Sequence, residues 1–99
     1  MVTLVENSLD LETYLGLRAS VGWKLLKKSQ AQKALDNSLF TLTAYIDGKT
    51  VGMGRIVGDG AVICYVQDLV VKPEYQMHGV GRVIMERLIE FVTAIKEKD

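Results

Sequence analysis

The sequence predicts an α+β domain whose elements run β-α-α-β-β-β-α, a mainly antiparallel sheet flanked by helices. Three observations predict it. Apolar residues recur at helical steps up to Asp36, the period then shortens to that of strands from Leu39, and a long amphipathic helix follows the last strand. With 99 residues the chain makes one domain at most, taken as residues 1–99.

Val2 to Glu6 alternates β-formers with polar residues and reads as a short first strand. Ser8 suits a helix N-cap, and Asp10 and Glu12 sit where the helix dipole favours acids. Leu11, Tyr14, Leu15 and Arg18 keep helical spacing, so Leu9 to about Ser20 is expected to be helix. Val21-Gly22-Trp23 breaks it, and a weaker helix covers about Ser29 to Asp36 with Ala31, Ala34 and Leu35 inward. Leu39 to Ile46 and Thr50 to Val57 read as strands joined by the hairpin signal Asp47-Gly48. Gly58-Asp59-Gly60 makes the next turn, and Ala61 to Val71 is expected to be the longest strand of this meander. From Gly79 to about Lys96, Val80, Ile84, Met85, Leu88, Ile89, Val92 and Ile95 form one apolar stripe.

The bulk properties exclude several function classes. Twelve basic residues balance twelve acidic ones, so no electrostatic footprint for nucleic acid exists. The apolar runs are too short to cross a bilayer, and the N-terminus lacks the pattern of a signal peptide, so a cytoplasmic location is expected. A single cysteine, Cys64, gives neither a disulfide nor a metal spacing, and no metal is expected.

The stretch that carries chemistry is Gln76-Met77-His78-Gly79-Val80-Gly81-Arg82, between a strand and a helix. The first turn of a helix leaves backbone N–H groups without partners, and its dipole favours anions there. Glycines let a phosphate approach that backbone, because no Cβ stands in the way. The run G-x-x-x-x-G-K-[ST] of a P-loop is absent, and the dinucleotide fingerprint fails at Ile84 and lacks its parallel βαβ unit. On spacing alone an anion cradle and a tight turn both remain.

The pattern Q-x-x-G-x-G at Gln76 to Gly81 resembles the acyl-CoA pyrophosphate loop of the GNAT N-acetyltransferase superfamily. Its flanks QDLVV, KPEY and VIMERL, and the order of elements before it, extend the resemblance over nearly the whole chain. It implies a GNAT-like fold, acetyl-CoA as co-substrate and direct acetyl transfer to an amine acceptor. It further implies that backbone at Leu69, Val70 and Val71 pairs with the pantetheine arm. The Leu69 N–H would polarise the thioester carbonyl, and the N–H groups of Gln76, Met77, His78, Gly79, Val80, Gly81 and Arg82 would hold the pyrophosphate. Asp68 is the carboxylate best placed by position to serve as general base; a structural role, bonding nearby backbone, is the other reading. Trp23 is a candidate for the acceptor pocket.

The family fold continues with another strand, a further helix and a hairpin, whereas this sequence stops at Lys96-Glu97-Lys98-Asp99. The resemblance therefore implies a domain truncated at its C-terminus, without the part that often supplies a tyrosine to protonate the leaving thiolate; that this is a fragment of a longer protein is the other reading. It also leaves strand 61–71 as an apolar edge, for which a homodimer through that strand, or through exchanged elements, is expected. The alternative function is a CoA-binding or dimerisation module without turnover.

Overall fold

The computed structural model describes residues 1–97 and has the expected order of elements. Strand β1 (Thr3–Glu6) is followed by helices α1 (Leu11–Ser20) and α2 (Lys28–Asp36). Strands β2 (Phe40–Ile46), β3 (Lys49–Gly58) and β4 (Cys64–Val71) then form a meander, and α3 (Val80–Glu97) follows a single 3₁₀ turn at Pro73–Tyr75. The four strands form one antiparallel sheet in the order β1-β2-β3-β4.

Both faces of the sheet are covered, which is why the middle strands are buried almost throughout. Strand alternation sorts the residues between the two faces. Phe40, Leu42, Ala44 and Ile56 pack with Val80, Ile84 and Leu88 of α3. Met53 and Val70 face the other way and pack with Tyr14 and Leu17 of α1 and Ala31 of α2. Phe91 of α3 stacks on Phe40 with ring centroids 4.2 Å apart. Arg87 then donates to Glu6 at 2.7 Å, tying α3 to the first strand.

Gly52 and Gly54, which weaken β3 as a strand on propensity alone, belong to the α3 interface. A Cβ on Gly54 would stand 2.8 Å from Ile84 Cγ2 and 2.9 Å from Leu88 Cδ1. One on Gly52 would stand 3.1 Å from Ile84 Cδ1 of α3, and 2.8 Å from the Val70 carbonyl oxygen of β4. The helix therefore lies directly on the strand backbone at these two positions.

Two local expectations are corrected. The cap of α1 is Asp10, not Ser8: its carboxylate accepts from the Thr13 N–H at 2.8 Å, and the helix begins two residues later than expected. The longest strand is β3, not the segment 61–71, because β4 starts only at Cys64. Asp59 explains the shortening. One of its carboxylate oxygens accepts from the N–H groups of Ala61, Val62 and Ile63, each at 2.9 Å, and holds those residues in a loop.

The cap correction has a measurable consequence. Asp10→Ala should cost about 1 kcal/mol in urea unfolding, whereas Ser8→Ala should stay within about 0.5 kcal/mol. Hydrogen bonds from Thr13, its backbone N–H first, hold the Asp10 carboxyl below its ordinary value of 3.8. A group depressed in the folded state contributes stability above its unfolded pKa. The contribution of Asp10 is therefore complete above that value and is lost as pH falls through the lowered one. Asp10→Asn should remove that component of the acid limb.

Candidate functional site

The cradle is built where β4 ends. Lys72 leaves the sheet, Pro73 sets the backbone angle of the 3₁₀ turn, and the chain then reverses through Gln76 to Gly79 into α3. Gln76 has an anchoring part that spacing could not reveal, since its side-chain amide donates to the Val71 carbonyl at 3.0 Å. That bond fastens the loop to the last residue of β4. Met77 and Gly79 both have positive φ, 69° and 85°, so left-handed residues recur along the turn. Such a turn directs successive N–H groups into one concavity.

The first backbone donor of the helix to find a partner is Val83, which bonds the Gly79 carbonyl. Among the described residues, no backbone or side-chain oxygen accepts from the N–H groups of Met77 to Arg82. The loop thus offers a run of six donors at the positive end of a long helix. A Cβ on Gly79 would meet no atom within 4 Å, and one on Gly81 would meet only Val71 Cγ2 at 3.7 Å. The space beside these glycines is open rather than filled by the protein's own packing. Val80 is buried and seats the helix start, whereas Met77, His78 and the Arg82 side chain are exposed. Among the described residues Arg82 makes only a long surface pair with Glu86, at 3.8 Å, and its side chain is exposed beside the donors.

The approach to the cradle is a β-bulge in β4. Val70 pairs with Met53 and Gln67 with Arg55, so Asp68 and Leu69 together face the single residue Gly54. Two residues against one leave a rung of the ladder unmade. Asp68 is the residue that bends, with φ at 55°. The bulge lies in an edge strand, and the outer side of β4 has no partner among the described residues. Leu69, Val70 and Val71 then lead from the bulge to the cradle.

Asp68 bonds side chains from distant elements rather than nearby backbone. Its Oδ1 accepts from Arg18 Nη1 at 3.0 Å, and its Oδ2 accepts from Arg55 Nε at 2.9 Å and from the Tyr14 hydroxyl at 2.7 Å. Arg55 also donates to the Ala34 carbonyl and the Ser38 hydroxyl, both at 3.1 Å. One carboxylate thereby links α1, the C-terminal end of α2, β3 and β4. Burial first, and then the bond to Asp68, push the Tyr14 phenol above its ordinary value, so it stays a donor. These three partners lay outside the sequence expectations. The one available signal was a charged residue in each of two adjacent apolar strands, Arg55 in TVGMGRIV and Asp68 in CYVQDLVV.

Two hollows flank α1. One of about 290 Å³ is lined by Glu12, Thr13, Gly16, Leu17, Thr50 and Lys72, next to the end of β4. The other, about 170 Å³, lies under the α1–α2 connection and includes Leu15, Arg18, Trp23, Leu25 and Leu26. Trp23 therefore does line a hollow, with the Arg18 guanidinium 5.1 Å from its ring centroid. Cys64 sits half-buried at the start of β4. No described helix is long and apolar enough to cross a membrane.

Known proteins share this fold. Among solved structures, a protein of unknown function from meticillin-resistant Staphylococcus aureus superposes with a TM-score of 0.89 at 32% identity, over 97% of this chain and 72% of that one. A GNAT family acetyltransferase from Streptococcus pneumoniae gives 0.83 at 34% identity, over 94% and 69%. Among curated relatives, an uncharacterised N-acetyltransferase of Prochlorococcus marinus is 30% identical over 93% of this chain and 52% of its own length. The chloroplastic serotonin N-acetyltransferase 2 of Oryza sativa is 33% identical over 84% and 44%. The chain thus spans about half the length of the curated relatives it matches. Residues 8–96 match the profile of the acetyltransferase (GNAT) family. With the fold, the cradle loop and this match in agreement, the chain belongs to the GNAT acetyltransferase family.

Proposed function

We propose that this chain binds acetyl-CoA and transfers its acetyl group directly to a primary amine. The observation that carries the reading is the run of six unpartnered N–H groups from Met77 to Arg82, opening onto free space at Gly79 and Gly81. A pyrophosphate matches that run in charge and in its need for several convergent donors. Acetyl-CoA supplies an activated acyl carbon: the nitrogen of the neutral amine forms a C–N bond to it, the C–S bond breaks, and the proton that the nitrogen loses passes through solvent to the departing thiolate. Gln76 holds the cradle to β4, Arg82 adds positive charge at its mouth, and backbone at Leu69 to Val71 lines the path of the thiol arm. The Leu69 N–H, in the bulge, supplies the oxyanion-type contact.

The hollow bearing Trp23, Leu15 and Leu26 supports an acceptor with an apolar or aromatic body. The name of the rice relative makes an arylalkylamine the first acceptor to try. The decisive experiment is calorimetric titration with acetyl-CoA and CoA, followed by thiol release against amines that include serotonin, a diamine and an N-terminal peptide. Acetyl-CoA binding with release dependent on one amine class is expected. No binding of either thioester or thiol would sink the reading.

A second reading, CoA binding without turnover, is favoured by one specific feature: both Asp68 oxygens already accept from arginine or tyrosine. Binding without thiol release from any amine selects it. The bare outer side of β4, with Tyr65 and Val66 exposed, supports self-association through that strand. A sedimentation run at tens of micromolar, where exposed edges associate, should show a dimer; a clean monomer overturns this part.

A further inference from the structure

We infer that Asp68 is a positioning residue, whose carboxylate locks the β4 bulge and so aims the Leu69 N–H at the acyl carbonyl. The inference rests on the acetyl-CoA reading above and assigns Asp68 a part other than that of general base.

The bulge needs such a lock. Left-handed backbone is costly for a residue with a Cβ, and Asp68 adopts it in the middle of a strand. Among the described residues β3 is the strand that pairs with β4 across the irregularity. Relaxation to regular pairing would remove the extra residue and turn every residue beyond it to the opposite face. Val70 would then leave its contacts beneath α1, and Leu69 and Val71 would leave α3.

The clamp resists this through three partners on two elements. Tyr14 and Arg18 reach Asp68 from α1, and Arg55 reaches it from β3 while bound to the end of α2. The side chains are largely enclosed, with Asp68 8% exposed, Arg55 10% and Arg18 14%. Enclosed charges with several partners each have little freedom to reorient. Arg18 is held further by the Lys24 carbonyl and lies against the rings of Tyr14 and Trp23. Two arginines face one carboxylate, so removing Asp68 alone leaves enclosed positive charge uncompensated.

The test therefore balances charge while changing the backbone preference. Asp68→Ala and Asp68→Gly are each combined with Arg18→Met, which keeps the net charge of the cluster. Alanine disfavours the left-handed conformation and glycine does not. In the alanine pair, acetyl-CoA affinity should fall about tenfold, the worth of one hydrogen bond, while CoA, which lacks the carbonyl, changes less than about twofold. The glycine pair should recover most of that loss. Tyr14→Phe, which keeps the packing, should show the same selective loss at about threefold, and it decides the matter if the alanine pair does not fold. Equal behaviour of the alanine and glycine pairs, a parallel loss of CoA affinity, or no selective loss in Tyr14→Phe overturns the inference while leaving the cradle intact. A wild-type chain that binds neither ligand overturns the cradle, and this inference with it.

Discussion

Gly81→Glu should leave the fold standing and remove CoA binding. A Cβ at residue 81 meets only Val71 Cγ2, at an ordinary 3.7 Å, and φ there is not positive. Residue 81 is the second of α3, where an acidic side chain favours the helix by roughly 0.3–1 kcal/mol. Thermal unfolding should therefore be unchanged or slightly improved. The same carboxylate stands at the mouth of the donor run, against the charge of a pyrophosphate. Repulsion of about 3 kcal/mol, on the order of a hundredfold in Kd, is expected at that separation. Gly81→Ala is the control, with a helix firmer by about 0.5–1 kcal/mol and affinity nearly kept. Gly79→Glu should also abolish binding, but its φ of 85° adds strain, so its stability change is harder to assign. Unchanged affinity in Gly81→Glu would mean that the pyrophosphate lies elsewhere.

The second large effect concerns the helix that carries the cradle. Ile84 is fully buried between α3 and β3, and Ile84→Ala should cost about 3 kcal/mol in denaturant unfolding. Gly54→Ala, which forces a methyl to within 2.8 Å of Ile84 Cγ2, should cost roughly 1–3 kcal/mol by overpacking. The two should not add. Truncating Ile84 removes one of the two atoms that the new methyl strikes, Leu88 Cδ1 being the other, so the double variant should fall short of the sum by about 1 kcal/mol. Strict additivity would show that α3 does not lie on the Gly54 backbone as described. The same contact bears on function, because Val80, at the start of this helix, packs in the core cluster with Ile84 and Leu88.

Most of the fold was legible because it is written in local periods. The helical stripe from Val80 to Ile95, the Asp47-Gly48 hairpin and the change of period at Leu39 each depend on residues a few positions apart. All three reappear in the structure, except that Ile89 of the expected stripe turns to solvent. Local signals failed where side chains compete for the same backbone. Ser8 and Asp10 both suit a cap, and geometry at Thr13 selected Asp10. Ala61 to Ile63 are good β-formers, yet three hydrogen bonds to Asp59 hold them out of β4.

The candidate site divides in the same way. The sequence by itself determined the loop, since Q-x-x-G-x-G between a strand and a helix puts both glycines at a helix terminus, while its spacing left an anion cradle and a tight turn both open. It could not reveal that Gln76 ties the loop to Val71, because that bond depends on how the turn closes. Only the tertiary structure decided which groups Asp68 bonds. Its partners lie 13, 50 and 54 residues away, on two elements, β3 and α1, that meet Asp68 together only when α1 covers the sheet. Charge placed within a strand is visible in a sequence, but what neutralises it is set by packing. That packing makes Asp68 the hub of a clamp on the bulge that leads to the cradle.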